Sequence, residues 1–143
     1  MKKIRVLAAG TFDGIHPGHV SYLTQARALG DDLFVIVARD KQSQLRKGRL
    51  PKRNETDRLA AVAALPVVTS AVLGDDTGDF LKPVVQIAPD VLALGYDQWP
   101  NEAALAAQLQ LRGLMPKIVR LEPFEADRYH SSILAKNEKE GNE

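Results

Sequence analysis

Short apolar runs and segments of helical spacing take turns along this chain of 143 residues. Residues 4–9 read as an apolar strand. Residues 33–38 (LFVIVA) form the continuous apolar run of a strand buried on both faces. Between them Val20, Leu23, Ala26 and Leu29 recur at helical spacing, and the segment stops at Gly30. Residues 39–53 have no such period; lysines, arginines, Gly48 and Pro51 predict a long polar loop with little to anchor it. Residues 54–65 then predict a helix, with Asn54 as N-cap and Leu59, Val62 and Ala63 on its inner side. Further strands are predicted at 67–73, 91–94 and 118–121, and helices at 80–87 and 101–112. Ser131 or Ser132 caps a last helix before the charged tail at 137–143, so the domain itself is predicted to span 1–136. Strands and helices in strict alternation define an α/β fold: a doubly wound parallel sheet of about five strands with helices on both faces.

Composition narrows the classes. The net charge is +1, which argues against a dedicated nucleic-acid or membrane surface, and cysteine is absent, which excludes disulfides, thiolate catalysis and cysteine zinc sites. The apolar run behind Met1-Lys2-Lys3 is too short for a secretion signal, so a cytoplasmic enzyme is expected.

In a doubly wound sheet ligands bind beyond the carboxyl ends of the strands, where the strand order reverses. The polar clusters of this chain follow those ends. GTFDGIHPGH (10–19) follows the first strand, ARD and KGR the second, GYDQ (95–98) the fourth and RYHSS (128–132) the fifth. A glycine-broken turn running into a helix gathers free N–H groups and the positive helix end, which suits an anion. His16 and His19 stand at that junction and can donate to a non-bridging phosphate oxygen, although surface decoration or a metal pair would explain two histidines as well. Gly18 permits close approach, and Thr11 and Phe12 offer backbone N–H groups, with core packing the alternative for Phe12 and turn capping that for Asp13. Serines at a helix start with an arginine before them, as at Arg128, Ser131 and Ser132, suit phosphates too.

The string GTFDGIHPGH resembles the T/HxGH nucleotidyltransferase superfamily in its cytidylyltransferase-like branch. That resemblance implies a Rossmann-like fold and transfer of a nucleoside monophosphate from an NTP to a phosphate-bearing acceptor. It implies that His16, Pro17, Gly18 and His19 hold the α-phosphate, that Lys47 is a mobile lysine reaching phosphates and acceptor, and that Arg58 aims at the triphosphate. It also places Asp97 near the nucleoside ribose and Arg128, Ser131 and Ser132 on the β- and γ-phosphates. From the residues alone, Lys47 fits a solvated charge run, Glu55 and Arg58 a surface salt bridge, and Asp97 an Asx-turn. Where cytidylyltransferases have a Gly-Ile-Ser-Thr run, this chain has His130-Ser131-Ser132. With VARD (37–40), KGR-x-P (47–51) and LGYDQ (94–98), that departure resembles the archaeal-type FAD synthases. The resemblance implies ATP and FMN as substrates, Mg2+ or another divalent cation arriving with the phosphates and no protein metal ligands, and a possible homodimer. Alternative readings are a CTP:glycerol-3-phosphate cytidylyltransferase, a sugar-phosphate adenylyltransferase of the ADP-heptose type, or a non-catalytic nucleotide-binding regulatory module.

Overall fold

The structure is a computed structural model and describes residues 2–124. Five parallel strands, β1 (Arg5–Gly10), β2 (Asp32–Val37), β3 (Ser70–Leu73), β4 (Val91–Leu94) and β5 (Lys117–Arg120), lie in the order β3-β2-β1-β4-β5. The chain winds outward from β1 through β2 to β3, then returns to the other side of β1 for β4 and β5. The order therefore reverses between β1 and β4, and a crevice opens beyond their carboxyl ends. β1 and β2 pair over six residues, from Arg5↔Asp32 to Gly10↔Val37, whereas β1 and β4 share only Val6↔Val91 and Leu7↔Leu92.

Both faces are covered, as the alternation predicts. Helices α1 (Pro17–Arg27) and α3 (Glu55–Ala63) bury Leu23, Ala26 and Val62 against Val6, Ala8, Val35, Val37 and Ala93. Helices α4 (Leu81–Ile87) and α5 (Glu102–Leu111) pack Leu81, Val84, Leu105 and Leu109 against Leu7, Ile36, Leu92 and Leu94. Every residue of β4 is buried, which explains its unbroken apolar run.

Three expectations need correction. Residues 39–53 are not one loop: α2 (Asp40–Lys47) occupies half of them, and Gly48 ends it in the left-handed conformation (φ 82°). The helix carries no apolar stripe, and Ser43 is its only buried side chain, so hydrophobic periodicity had nothing to detect. Helix α1 begins earlier than its apolar spacing suggested, with Pro17 at N1 and His16 as N-cap, because its first turn is built for capping rather than burial. The third strand starts only at Ser70; Val67 and Val68 belong to the turn before it, where Val68 is buried without ladder pairing. The predicted last helix, the tail and the 136/137 boundary lie outside the described residues.

Candidate active site

The β1–α1 turn is fixed from within. Phe12 takes a left-handed backbone (φ 55°) and turns its ring into the core, 3% exposed. Gly10 makes room for it: a Cβ there would stand 2.9 Å from the ring. The ring meets the His19 imidazole edge-on at 5.2 Å. Both readings of Phe12 thus survive together, since its side chain is core while its backbone shapes the turn.

His16 and His19 cap α1 reciprocally. The His16 Nδ1 accepts from the backbone N–H of Gly18 (3.0 Å) and His19 (3.4 Å), while the His19 Nδ1 accepts from the N–H of His16 (3.3 Å). The rings stack with centroids 3.6 Å apart. With each Nδ1 accepting, the proton of a neutral ring sits on Nε2, which fixes the tautomer, and the His19 ring spends its N–H on the backbone of Gly14. Burial pushes the His19 imidazole down to about 4, the adjacent His16 and the Lys47 charge add to this, and a backbone hydrogen bond with Gly14 opposes it. At neutral pH His19 is therefore an uncharged donor.

Cations gather on one side of the turn. Lys47, in the last turn of α2, shares a small cleft with Thr11, Asp13, Arg49, Leu50 and Pro51. Burial lowers the Lys47 ammonium from its ordinary value, the Arg46 and Arg49 charges lower it further, and Asp13 opposes them. The Asp13 carboxylate accepts from the backbone N–H of Lys52 (2.8 Å) and Arg53 (2.9 Å), tying the segment after α2 to the turn. Burial works against that charge, but these two bonds and the nearby Arg58 and Lys47 hold the carboxyl below its ordinary value. Arg46 adds a bond from its guanidinium to the Thr11 hydroxyl (3.0 Å).

Arg58 lies beneath this cluster. Its side chain has no exposure, and the guanidinium donates to the carbonyls of Arg53 (2.9 Å), Thr11 (2.8 Å) and Ala38 (2.8 Å) and to the Asp40 carboxylate (2.7 Å). In this structure the arginine braces the ends of β1 and β2 from below; its expected reach to the triphosphate is a separate proposal. A surface pair with Glu55 does not form. Glu55 bonds Arg39 (3.2 Å) and the N–H of Asp40 (2.9 Å), and its own N–H returns to Asp40 (3.2 Å).

Across the crevice, Tyr22 and Gln98 join the ends of β1 and β4. The Tyr22 hydroxyl accepts from the Ala9 N–H (3.2 Å) and lies 3.0 Å from the Ala93 carbonyl and 3.3 Å from the Gln98 Oε1. Gln98 donates to the Ala9 carbonyl (2.9 Å) and accepts from the Gly95 N–H (2.9 Å). Burial raises the Tyr22 phenol, Asp97 raises it further and an Ala9 backbone bond opposes. Asp97 itself is exposed on the turn after β4. That turn is held by Arg120, whose guanidinium donates to the carbonyls of Gly95 (2.9 Å), Gln98 and Trp99 (2.7 Å) and pairs with Glu102 (2.8 Å). Tyr22, Gln98, Trp99 and Arg120 were not singled out as individual residues from the sequence, although GYDQ marked their neighbourhood. A further apolar cleft of about 620 Å³ opens along α1 between Ile15, Val20, Thr24 and Phe124. Arg128, Ser131 and Ser132 lie outside the described residues.

The chain, a doubly wound sheet with a capped histidine pair at the β1–α1 turn, belongs to the cytidylyltransferase-like family, whose model matches residues 7–138, and is a nucleotidyltransferase. Among curated relatives, an FAD synthase of Archaeoglobus profundus is 46% identical over 90% of this chain and 81% of its own. One of Methanosarcina barkeri is 50% identical over 82% of both. A crystal structure described as the lipopolysaccharide core biosynthesis protein of Thermoplasma volcanium superposes with a TM-score of 0.82, at 42% identity over 87% of this chain and all of that one. Pantoate-beta-alanine ligase of Francisella tularensis shares the fold alone, at 12% identity and a TM-score of 0.60 over 94% of this chain and 68% of that one.

Proposed function

We infer that this chain is an FAD synthase, transferring AMP from ATP to FMN. Relatives of that name are 41–50% identical across most of the chain, and the observation that carries the chemistry is the histidine pair with both Nδ1 atoms spent on the helix cap. In the reaction an oxygen of the FMN phosphate attacks the α-phosphorus of ATP. The new P–O bond forms in line as the bond to the bridging α–β oxygen breaks, and pyrophosphate leaves with the electron pair. The acceptor is already an anion, so no nucleophilic side chain is needed. The Nε2 of His16 would donate to the non-bridging oxygen that gains charge, His19 would do so on exchanging its Gly14 bond for the phosphate, and the positive end of α1 would add to them. Lys47 and Arg46, beside Thr11, would offset the charge of the two phosphates meeting there.

Nucleotidyltransferases of this family typically use a divalent metal. Among the described residues no three acidic or histidine side chains converge to hold one, and Asp13 and Asp40 are engaged with backbone N–H groups and with Arg58. Such an ion would be carried by the nucleotide's own phosphates as part of the substrate.

Pyrophosphate release from ATP and from CTP, each offered FMN, glycerol 3-phosphate and a sugar 1-phosphate, tests the reading. ATP with FMN is the expected productive pair. Turnover with CTP and glycerol 3-phosphate and none with ATP and FMN would overturn it. His16→Ala and His19→Ala should each lower kcat by roughly 10²–10³ while moving KM little, as loss of an oxyanion donor does.

A further inference from the structure

Trp99, the only tryptophan of the chain, stands 37% exposed at the carboxyl edge of the sheet, in a left-handed backbone (φ 45°). A bulky residue pays for that conformation, the more so before a proline, here Pro100, and such outliers persist where the surroundings over-determine them. The surroundings here are explicit. Arg120 gathers the carbonyls of Gly95, Gln98 and Trp99 around one guanidinium anchored by Glu102. Next in sequence, Gln98 is bonded to Ala9 at the end of β1, which ties the residue before Trp99 to the crevice. From the start of α4, the Phe80 ring approaches the indole at 5.4 Å, tilted by 39°. Two aromatic side chains from different elements thus meet as a partly open platform, an indole braced by a tilted phenyl ring, where burying the indole would have been the cheaper use of it.

We propose that the Trp99–Phe80 platform stacks the isoalloxazine ring of the acceptor, which assigns the flavin site of the FAD synthase reaction. This rests on the functional reading above and adds the location that reading lacks. A flavin is a broad planar ring whose affinity comes mostly from stacking, and an indole face offers that at little cost in ordering. The cleft along α1 adjoins His16 and brings a single phenyl ring, Phe124, among aliphatic and small polar residues, whereas the platform offers an indole backed by a second ring.

The test uses the full chain. FMN is titrated in the presence of Mg2+ and a non-hydrolysable ATP analogue, with flavin emission and the emission of the single tryptophan read together. Both should be quenched in one saturable phase. Trp99→Gly removes the ring and relieves the left-handed strain, while the carbonyls that Arg120 holds remain. It should raise the KM for FMN by about tenfold or more and leave the KM for ATP within twofold, and Trp99→Phe should recover most of the loss. Thermal melting of each variant verifies folding. An unchanged KM for FMN in Trp99→Gly puts the ring elsewhere, for example in the α1 cleft, and overturns the proposal. A rise in the KM for ATP that equals or exceeds the rise for FMN assigns the platform to adenine and overturns it too. If wild-type enzyme forms no FAD at all, the functional reading fails first, and the two failures are distinguishable.

Discussion

His19 spends its chemistry on being neutral. Its imidazole is held near 4 by burial and by the stacked His16, whereas in the unfolded chain it returns to about 6.5. Between those values the unfolded state binds the extra proton, so acid favours unfolding. The contribution is fully favourable above about 6.5 and is lost as pH falls toward 4. Thermal melting of the free protein should therefore decline through that window, and His19→Asn should flatten the decline by removing the titrating group. An identical slope in the two proteins would show that the proton is taken up elsewhere. In the proposed reaction the same feature leaves the ring an uncharged N–H donor near neutrality, with its other nitrogen tied to the helix cap.

Between elements, Arg58 is the joint of the β1–α1 and β2–α2 junctions. It satisfies the Thr11 and Ala38 carbonyls and the Asp40 carboxylate from a site without solvent. Arg58→Met would keep the volume but strand the carbonyls of Arg53, Thr11 and Ala38 and the Asp40 carboxylate. The expected cost is about 3–5 kcal/mol of stability, read by denaturant unfolding, with kcat falling more than the KM for ATP rises. A raised KM for ATP alone would instead mark a phosphate contact. The residues around this joint also show what the sequence made legible. The alternation of buried strands and amphipathic helices announced the sheet, and GTFDGIHPGH announced the crevice. Helix α2 stayed hidden because its one buried side chain is a serine, and secondary structure without an apolar face leaves no periodic trace. Apart from the Gly95 N–H that Gln98 accepts, the partners of Arg58, Arg120 and Gln98 lie 18 or more residues away or bond through backbone carbonyls, and neither relation is written in local spacing.

For the whole molecule, the described residues offer carboxylates that are already engaged around the site and no cluster to hold an ion. Magnesium alone should then leave the melting temperature unchanged, while magnesium with ATP should raise it with ligand concentration, following the usual linkage to binding. Stabilisation by magnesium without nucleotide would reveal a resident site. The sheet itself carries a different consequence. Backbone pairing between β1 and β4 stops at Leu7↔Leu92, and beyond it the gap is spanned by the Tyr22 phenol and the Gln98 amide, both reaching Ala9. The mouth of the crevice is thus set by replaceable spacers rather than by the main chain. A shorter or longer spacer at either position would re-gauge the opening while every strand stayed in register, and that gives one scaffold a way to admit acceptors of different girth without being rebuilt.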